Sequence, residues 1–232
     1  MKIQFSKRRN RALTKIDVLV IIAIVLILAA VILWPVLVAA SGSRLASRMQ
    51  CIADLNQAGQ AFNIWAGDNN GKYPMGVSAT NGGAMESVAT GDVVACFRIM
   101  SNELSTPKIL VCPVDSVHTS ATNWGGDFNS SHVSYFISAD ADKSFPQRLL
   151  SGDDNFVTNG VLAKSGLFEF PSKEVLWGPG RHGDVPRHFW TTPPAHFVGN
   201  ISFSDGSVSE VSDLGLEQAL VLGLATNRFA IP

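Results

Sequence analysis

From Val18 to Ala40 the chain carries 23 consecutive uncharged residues, most of them apolar. At about 1.5 Å per residue this run makes a helix of roughly 35 Å, enough to cross the ~30 Å hydrocarbon layer of a bilayer with some tilt. The run is expected to anchor the chain in a membrane. Lys2, Lys7, Arg8, Arg9 and Arg11 precede it, and only Arg44 and Arg48 follow closely. The positive-inside bias therefore puts the N-terminus in the cytoplasm and residues 41–232 outside. A secretory signal peptide cut after Val38-Ala39-Ala40 would have an apolar core of only ~7–15 residues. An uncut signal anchor fits the length but leaves Asp17 unexplained. A carboxylate at the edge of a spanning helix is costly unless it faces water or a partner, which makes Asp17 a candidate functional residue in search of a cation.

Charge divides the chain at the same place. Residues 1–40 carry a net charge of +5 and residues 41–232 a net charge of −6. A mildly acidic outer part lacks the basic stripe of a nucleic-acid binder, so no nucleic-acid partner is expected. Its length suffices for one domain with a real core.

After Arg44 the pattern turns amphipathic. Leu45, Met49, Ile52, Leu55, Gly59, Phe62 and Ala66 recur every three or four residues, with Arg48, Gln50, Asp54, Gln57 and Gln60 between them. One helix is expected from about Leu13 to Gly67, kinked at Pro35, with Ser41-Gly42-Ser43 as a second soft point. Asp68-Asn69-Asn70-Gly71 ends it, because Asn and Gly tolerate the left-handed conformation of a helix cap. Beyond Pro74, Val93–Met100 reads as a short helix and Ser101–Pro107 as a turn. The segments 109–112, 132–137, 174–177, 199–203 and 207–211 read as strands, the last two joined by an Asp205-Gly206 hairpin turn. Residues 214–224 read as a closing helix, and 80–90 and 178–194 as loops.

Three cysteines, Cys51, Cys96 and Cys112, fall in the part expected to face an oxidising compartment, which allows one pair and one free thiol. A Cys51–Cys112 bond would tie the helix to the first strand; buried free thiols are the alternative. No CxxC pair suggests a zinc ribbon or a thioredoxin-type site. Catalysis has equally little support. His182, His188, His196 and Asp205 lack the helical i, i+4 spacing of a metal hydrolase, and no serine sits in a Gly-x-Ser-x-Gly elbow. No catalytic residue is assigned and the chain is not expected to be an enzyme. Asp140, Asp142, Asp153 and Asp154 form the one dense acidic region, on Gly- and Ser-containing segments. They read either as oxygen ligands for calcium or as two solvated loops, and no other cofactor is implied.

The segment Ala12-Leu13-Thr14-Lys15-Ile16-Asp17-Val18-Leu19-Val20 resembles the cleavage and methylation segment of type IV prepilins and of type II secretion pseudopilins. In that family a basic leader ends in glycine, the next residue becomes the methylated mature N-terminus, and the fifth mature residue is glutamate. The resemblance implies a cut between Ala12 and Leu13, N-methylation of Leu13, and an assembly role for Asp17. Ala12 stands where the family has glycine, Lys15 replaces an apolar residue, and Asp17 is one methylene shorter than glutamate. Arg48-Met49-Gln50-Cys51, Asp54-Leu55-Asn56-Gln57 and Trp65 through Pro74 are similar to the helix exit of prepilin-type proteins with large heads. His196-x8-Asp205-Gly206 looks like the family's closing hairpin, and Ser101 through Pro107 and Cys112-Pro113-Val114-Asp115 fit a subgroup of these proteins.

The resemblance implies an α+β, pilin-like fold in which a long N-terminal helix, half transmembrane and half amphipathic, packs on an antiparallel β-sheet head. The division would be a leader at 1–12, a transmembrane segment at 13–40 and an extracytoplasmic head at 41–232. The implied partners are a prepilin peptidase/methyltransferase, other pilin-like subunits, an inner-membrane assembly platform and the lipid bilayer. Type II secretion, type IV pilus and DNA-uptake filaments fit the sequence alike. A competing expectation is an uncleaved, signal-anchored binding module whose loops present Trp124, Trp177 and Trp190 to carbohydrate or another surface ligand.

Overall fold

The first helix, α1, spans Lys15–Asp68 in the computed structural model of the chain, which describes residues 15–171, 175–179, 182–183, 197–223 and 226–232. The described residues fall into two units divided between Leu45 and Ala46. In the first unit, Lys15–Leu33 is a helix long and apolar enough to cross a membrane. Every large apolar side chain from Ile16 to Leu33 is exposed. Each buried Å² of such surface is worth about 25 cal/mol, so this helix is suited to lipid or to apolar partners rather than to water. The helical backbone runs through Pro35 without interruption.

The second unit begins with the amphipathic part of α1. Cys51, Leu55, Ala58, Ala61, Phe62, Trp65 and Ala66 are buried along one stripe. Two expected positions differ. Met49, read as part of the apolar stripe, is 64% exposed, whereas Asp54, read as part of the polar face, is buried. Burial pushes the Asp54 carboxyl above its ordinary range, offset in part by a 2.7 Å hydrogen bond donated by Gln50 Nε2 one turn earlier. The helix stops as its Asn and Gly residues predict. Asn70 and Gly71 take φ of 57° and 76°, and the Gly71 N–H donates to the Ala66 carbonyl at 2.8 Å, satisfying one of the last-turn acceptors.

Short helices follow: α2 (Met85–Ala89), α3 (Val93–Ile99) and α4 (Ser101–Leu104), with 3₁₀ turns at Pro74–Gly76, Ala79–Asn81 and Pro107–Leu110. Residues 80–90 are thus more ordered than the loop expected. Glu86 holds them, its carboxylate accepting from Ser78 Oγ at 2.5 Å and from the Ala79 N–H at 2.7 Å. Those bonds hold the Glu86 carboxyl below the usual range. The strand expected at 109–112 is a 3₁₀ turn instead. Pro107 opens it with φ already helical, and Thr106 Oγ1 accepts the Lys108 N–H. Likewise residues 130–132 form a 3₁₀ turn, and the strand there begins only at Tyr135.

Among the described residues, all strand pairs are antiparallel. The strands are β1 (Tyr135–Ser138), β2 (Leu149–Asp153), β3 (Phe156–Thr158), β4 (Val161–Leu162), β5 (Gly166–Pro171), β6 (Val175–Trp177), β7 (His182–Gly183), β8 (Phe197–Phe203), β9 (Val208–Ser212) and β10 (Thr226–Ile231), with helix α5 (Asp213–Gly223) before the last. The large sheet runs β5-β10-β1-β2-β8-β7, with β9 on β8, and β4-β3-β6 form a second sheet. Residue parity assigns the faces. Ile137, Leu150 and Ala230 join the cluster built on α1 and the short helices, while Phe136, Leu149, Phe229 and Ile231 join a cluster with Leu216 and Leu220 of α5. The sheet is therefore covered on both faces. The second cluster is aromatic at its centre: Phe156 lies 5.1 Å from Phe136, 5.3 Å from Phe170, 5.1 Å from Trp177 and 5.5 Å from Phe229, centroid to centroid. The expected closing hairpin is present. Asp205 Oδ1 accepts from the Ser207 N–H at 2.8 Å, and Gly206 takes φ of 89° in the turn.

Tyr73, just past α1, links the helix end to this hairpin by donating its phenol O–H to the Ser204 carbonyl at 2.7 Å. Burial, followed by the Asp205 and Asp142 charges, pushes the phenol up to about 12 from an ordinary value of 10.0. The unfolded chain releases this proton near pH ~10 while the folded chain keeps it, so the contribution is complete below pH ~10 and is lost as pH rises toward 12. Tyr73→Phe should cost ~1–3 kcal/mol at neutral pH by leaving a buried carbonyl unpaired. Its urea midpoint should also fall less steeply than the parent's across pH 10–12. Parallel pH curves for the two proteins would contradict this assignment.

Candidate functional site

Two places carry chemistry beyond packing. At the N-terminal end, Asp17 lies in the first turn of α1, where a carboxylate complements the partial positive charge of the helix terminus. Its side chain is exposed. Ala12 and Leu13, the implied cleavage and methylation positions, lie outside the described residues.

The second place is inside the head, where strand ends converge. β8 is paired by β9 over Val198–Ser202, so β2 and β7 must share its other edge. β2 pairs there as far as Gly152↔Ile201, and β7 takes over with His182↔Val198. Asp153, the last residue of β2, and His182 therefore flank Asn200. On the other side of β2, Tyr135 pairs with Asp153. α1 brings Cys51 to this junction, and the turn after Leu110 brings Cys112.

That turn is built by the Cys112-Pro113-Val114-Asp115 segment. The Asp115 N–H donates to the Cys112 carbonyl at 2.9 Å, Ser134 Oγ donates to Asp115 Oδ2 at 2.6 Å, and the Cys112 N–H donates to Ser134 Oγ at 3.2 Å. The Asp115 carboxylate also meets His118 Nδ1 at 2.6 Å. The ring of bonds fixes the Cys112 backbone without using its side chain.

Cys51 and Cys112 form a disulfide with Cα atoms 5.0 Å apart, closing a sequence separation of 61 residues. On the chain-entropy account such a loop contributes about 4 kcal/mol. The sequence left this pair open beside buried free thiols, and Cys96 is a buried free thiol whose pKa burial pushes up strongly. Around the disulfide, Cys51 Sγ lies 3.5 Å from the Tyr135 hydroxyl and 3.9 Å from Asp153 Oδ1, and Cys112 Sγ lies 3.6 Å from His182 Nε2. Asp153 Oδ2 is 3.5 Å from the same ring nitrogen and accepts the Asn200 backbone N–H at 2.7 Å. Cys51, Cys112, Asp153 and His182 are all buried.

The four aspartates considered for calcium are dispersed. Asp140 receives the Arg228 backbone N–H and Nε at 2.9 Å each, as well as an Arg228 terminal nitrogen. Asp142 Oδ1 caps a turn by accepting the Ser144 N–H at 2.8 Å. Asp153 faces the disulfide, and nearly buried Asp154 follows it in the chain, so Asp153 and Asp154 are not on a solvated loop either. Among the described residues, the one group of three or more ligand-type side chains close enough to share an ion is Cys51, Cys112, Asp153 and His182.

Compared with protein-family models, with curated proteins and with solved structures, the chain matches none. The site therefore rests on its own geometry.

Of the tryptophans considered as ligand-facing, Trp177 is buried against Phe156, Trp124 packs edge-on to Phe128 at 5.0 Å, and Trp190 lies outside the described residues. His188 and His196 lie outside them too. In the sequence His182 stands out only with His188, His196 and Asp205, and Asp153 only with Asp140, Asp142 and Asp154. No spacing motif joins them to the cysteines, because each of the four side chains comes from a different element. The one available signal was a pair of cysteines in a chain with few histidines.

Proposed function

We propose that this chain is a filament-forming, pseudopilin-like subunit of a type II secretion or type IV pilus-like system. It is held in the bacterial inner membrane, with its N-terminus cytoplasmic and its head extracytoplasmic, until a prepilin peptidase cuts after Ala12 and methylates Leu13. The observation that carries the reading is the junction at Asp17, where a basic leader meets a long uncharged helix with one carboxylate at its edge. An antiparallel head packed on the amphipathic part of α1 is compatible with it.

In this reading the work is mechanical. Each spanning helix leaves lipid for contact with neighbouring helices, so apolar burial is retained while packing becomes ordered. Energy input and peptide cleavage belong to an inner-membrane platform and to the peptidase; this chain makes and breaks no bonds in substrates. The competing binding module draws little from Trp177 and Trp124, whose rings serve packing.

The test is the mature N-terminus. Intact mass and N-terminal sequencing of protein from the membrane fraction should give a chain beginning at methylated Leu13. A chain beginning at Met1 would favour the signal-anchored module, and one beginning at Ser41 would restore the secretory signal peptide.

A further inference from the structure

We infer that Cys51, Cys112, Asp153 and His182 form a binding site for a divalent metal of the zinc class, open when the Cys51–Cys112 disulfide is reduced and closed when it is formed. The inference concerns the head alone and is independent of filament assembly.

Distances carry the first part of the argument. A tetrahedral ion with bonds of about 2.0–2.3 Å sets its ligand atoms roughly 3.3–3.8 Å apart. Cys112 Sγ to His182 Nε2 is 3.6 Å, His182 Nε2 to Asp153 Oδ2 is 3.5 Å, and Cys51 Sγ to Asp153 Oδ1 is 3.9 Å. The Cys112–His182 and His182–Asp153 edges thus stand near the required length; the Cys51 contact is to the other carboxylate oxygen, and with one oxygen as ligand all four ligand atoms lie within 4.8 Å of one another. The sulfur–sulfur edge is short because it is a covalent bond. Breaking that bond and turning the two thiols apart is the main change needed.

Donor chemistry carries the second part. Two thiolates, an imidazole and one carboxylate match zinc, whereas calcium and magnesium prefer all-oxygen shells. Metal binding uses the tautomer with the proton on Nδ1 and the lone pair on Nε2. Asn200 Nδ2 lies 3.2 Å from Asp153 Oδ2 and 2.8 Å from His182 Nε2. With the amide nitrogen donating to both groups, ligation would exchange the Asn200–Nε2 hydrogen bond for a bond to the ion. Asn200 and its backbone N–H would remain as outer partners that orient the carboxylate. Four ligands from α1, the Cys112 turn, β2 and β7 would hold the helix to the sheet as the disulfide does.

The exchange balances with a dithiol reductant. A reductant thiolate attacks one sulfur of the Cys51–Cys112 bond, forming a mixed disulfide and releasing the other cysteine. The second reductant thiol then displaces the first cysteine, and the reductant leaves as its own disulfide. The chain has gained two electrons and two protons. Binding of M²⁺ by both sulfurs expels those two protons.

The test uses the full chain in detergent, reduced under denaturant with a phosphine, which becomes the phosphine oxide, and refolded without oxygen with or without Co²⁺. The reduced chain should take up one Co²⁺ with thiolate charge-transfer bands and the d–d bands of a tetrahedral ion, and Zn²⁺ should displace it. The disulfide form should take up none. His182→Gln and Asp153→Asn, each first checked for a native circular dichroism spectrum in the disulfide form, should weaken Co²⁺ binding at least ~10-fold. If only the metal-supplied sample refolds, the site is supported. The inference is overturned if the reduced chain takes up no metal whether or not it refolds, if the disulfide form binds equally well, or if neither variant weakens binding. Should either variant fail the folding check, Cys112→Ser in the reduced state decides instead, with unchanged affinity counting against the site.

Discussion

An Asp17→Ala chain should insert and be cut after Ala12, yet yield filaments at roughly one-tenth to one-hundredth of the parent level. On the filament-subunit reading proposed above, cleavage would free a positive amine at Leu13. In a staggered helix bundle the amine of an incoming subunit can meet Asp17 of a neighbour. A charge at the membrane centre costs ~2.5–3.5 kcal/mol on insertion scales, somewhat less near its edge. On that reading a cation placed against Asp17 would favour one register of addition, and each ~1.4 kcal/mol would change the addition equilibrium about tenfold. Lys15, two residues away on the helix, does not share a face with Asp17. Asp17→Glu should assemble at least as well as the parent. The measurement is the sheared filament fraction against total cleaved protein. Normal yield from cleaved Asp17→Ala would remove the pairing mechanism and leave Asp17 an incidental carboxylate.

Phe156→Ala should destabilise the head by ~3–5 kcal/mol, the range for truncating a fully buried aromatic. Phe156 is fully buried and stands at the centre of the ring cluster formed with Phe136, Phe170, Trp177 and Phe229. It also joins the two sheets, since β3 carries it against side chains of β1, β5 and β10. Truncation leaves a cavity walled by planar rings that cannot collapse into it, which places the cost at the upper end. The urea midpoint of the full chain in detergent, followed by circular dichroism, should fall by more than ~1 M. Val161→Ala, with its side chain exposed on edge strand β4, should shift it by the equivalent of no more than ~0.5 kcal/mol. Equal shifts for the two variants would show that the aromatic cluster does not hold the sheets together.

The elements legible in the sequence are those whose signal is local. α1 follows from uninterrupted hydropathy and then a 3.6-residue stripe, and its end follows from Asn70 and Gly71. β8, β9 and their turn follow from Asp205-Gly206 between apolar runs, and α5 from the recurring leucines Leu214, Leu216, Leu220 and Leu222. β2 was illegible. Its Leu-Leu-Ser-Gly-Asp is buried throughout, because α1 covers one face of the sheet and α5 the other, so no alternation survives. β5 and β10 were also missed: they pair only with each other and with β1, over long separations in the chain.

Met49 and Asp54 show the same limit on a single helix. Periodicity gives the existence of an apolar face, but the sheet and the Cys112 turn decide which residues lie under it. The sequence alone determined an apolar N-terminal helix with a carboxylate at its edge, an amphipathic continuation and an antiparallel closing hairpin. Only the tertiary structure decided that Cys51 pairs with Cys112 and that Asp153 and His182 stand beside them. The reason is register: β2 ends and β7 begins along the same edge of β8, and that meeting depends on backbone hydrogen bonds between segments distant in the chain. Local patterns record what each residue prefers. They do not record which strand ends meet.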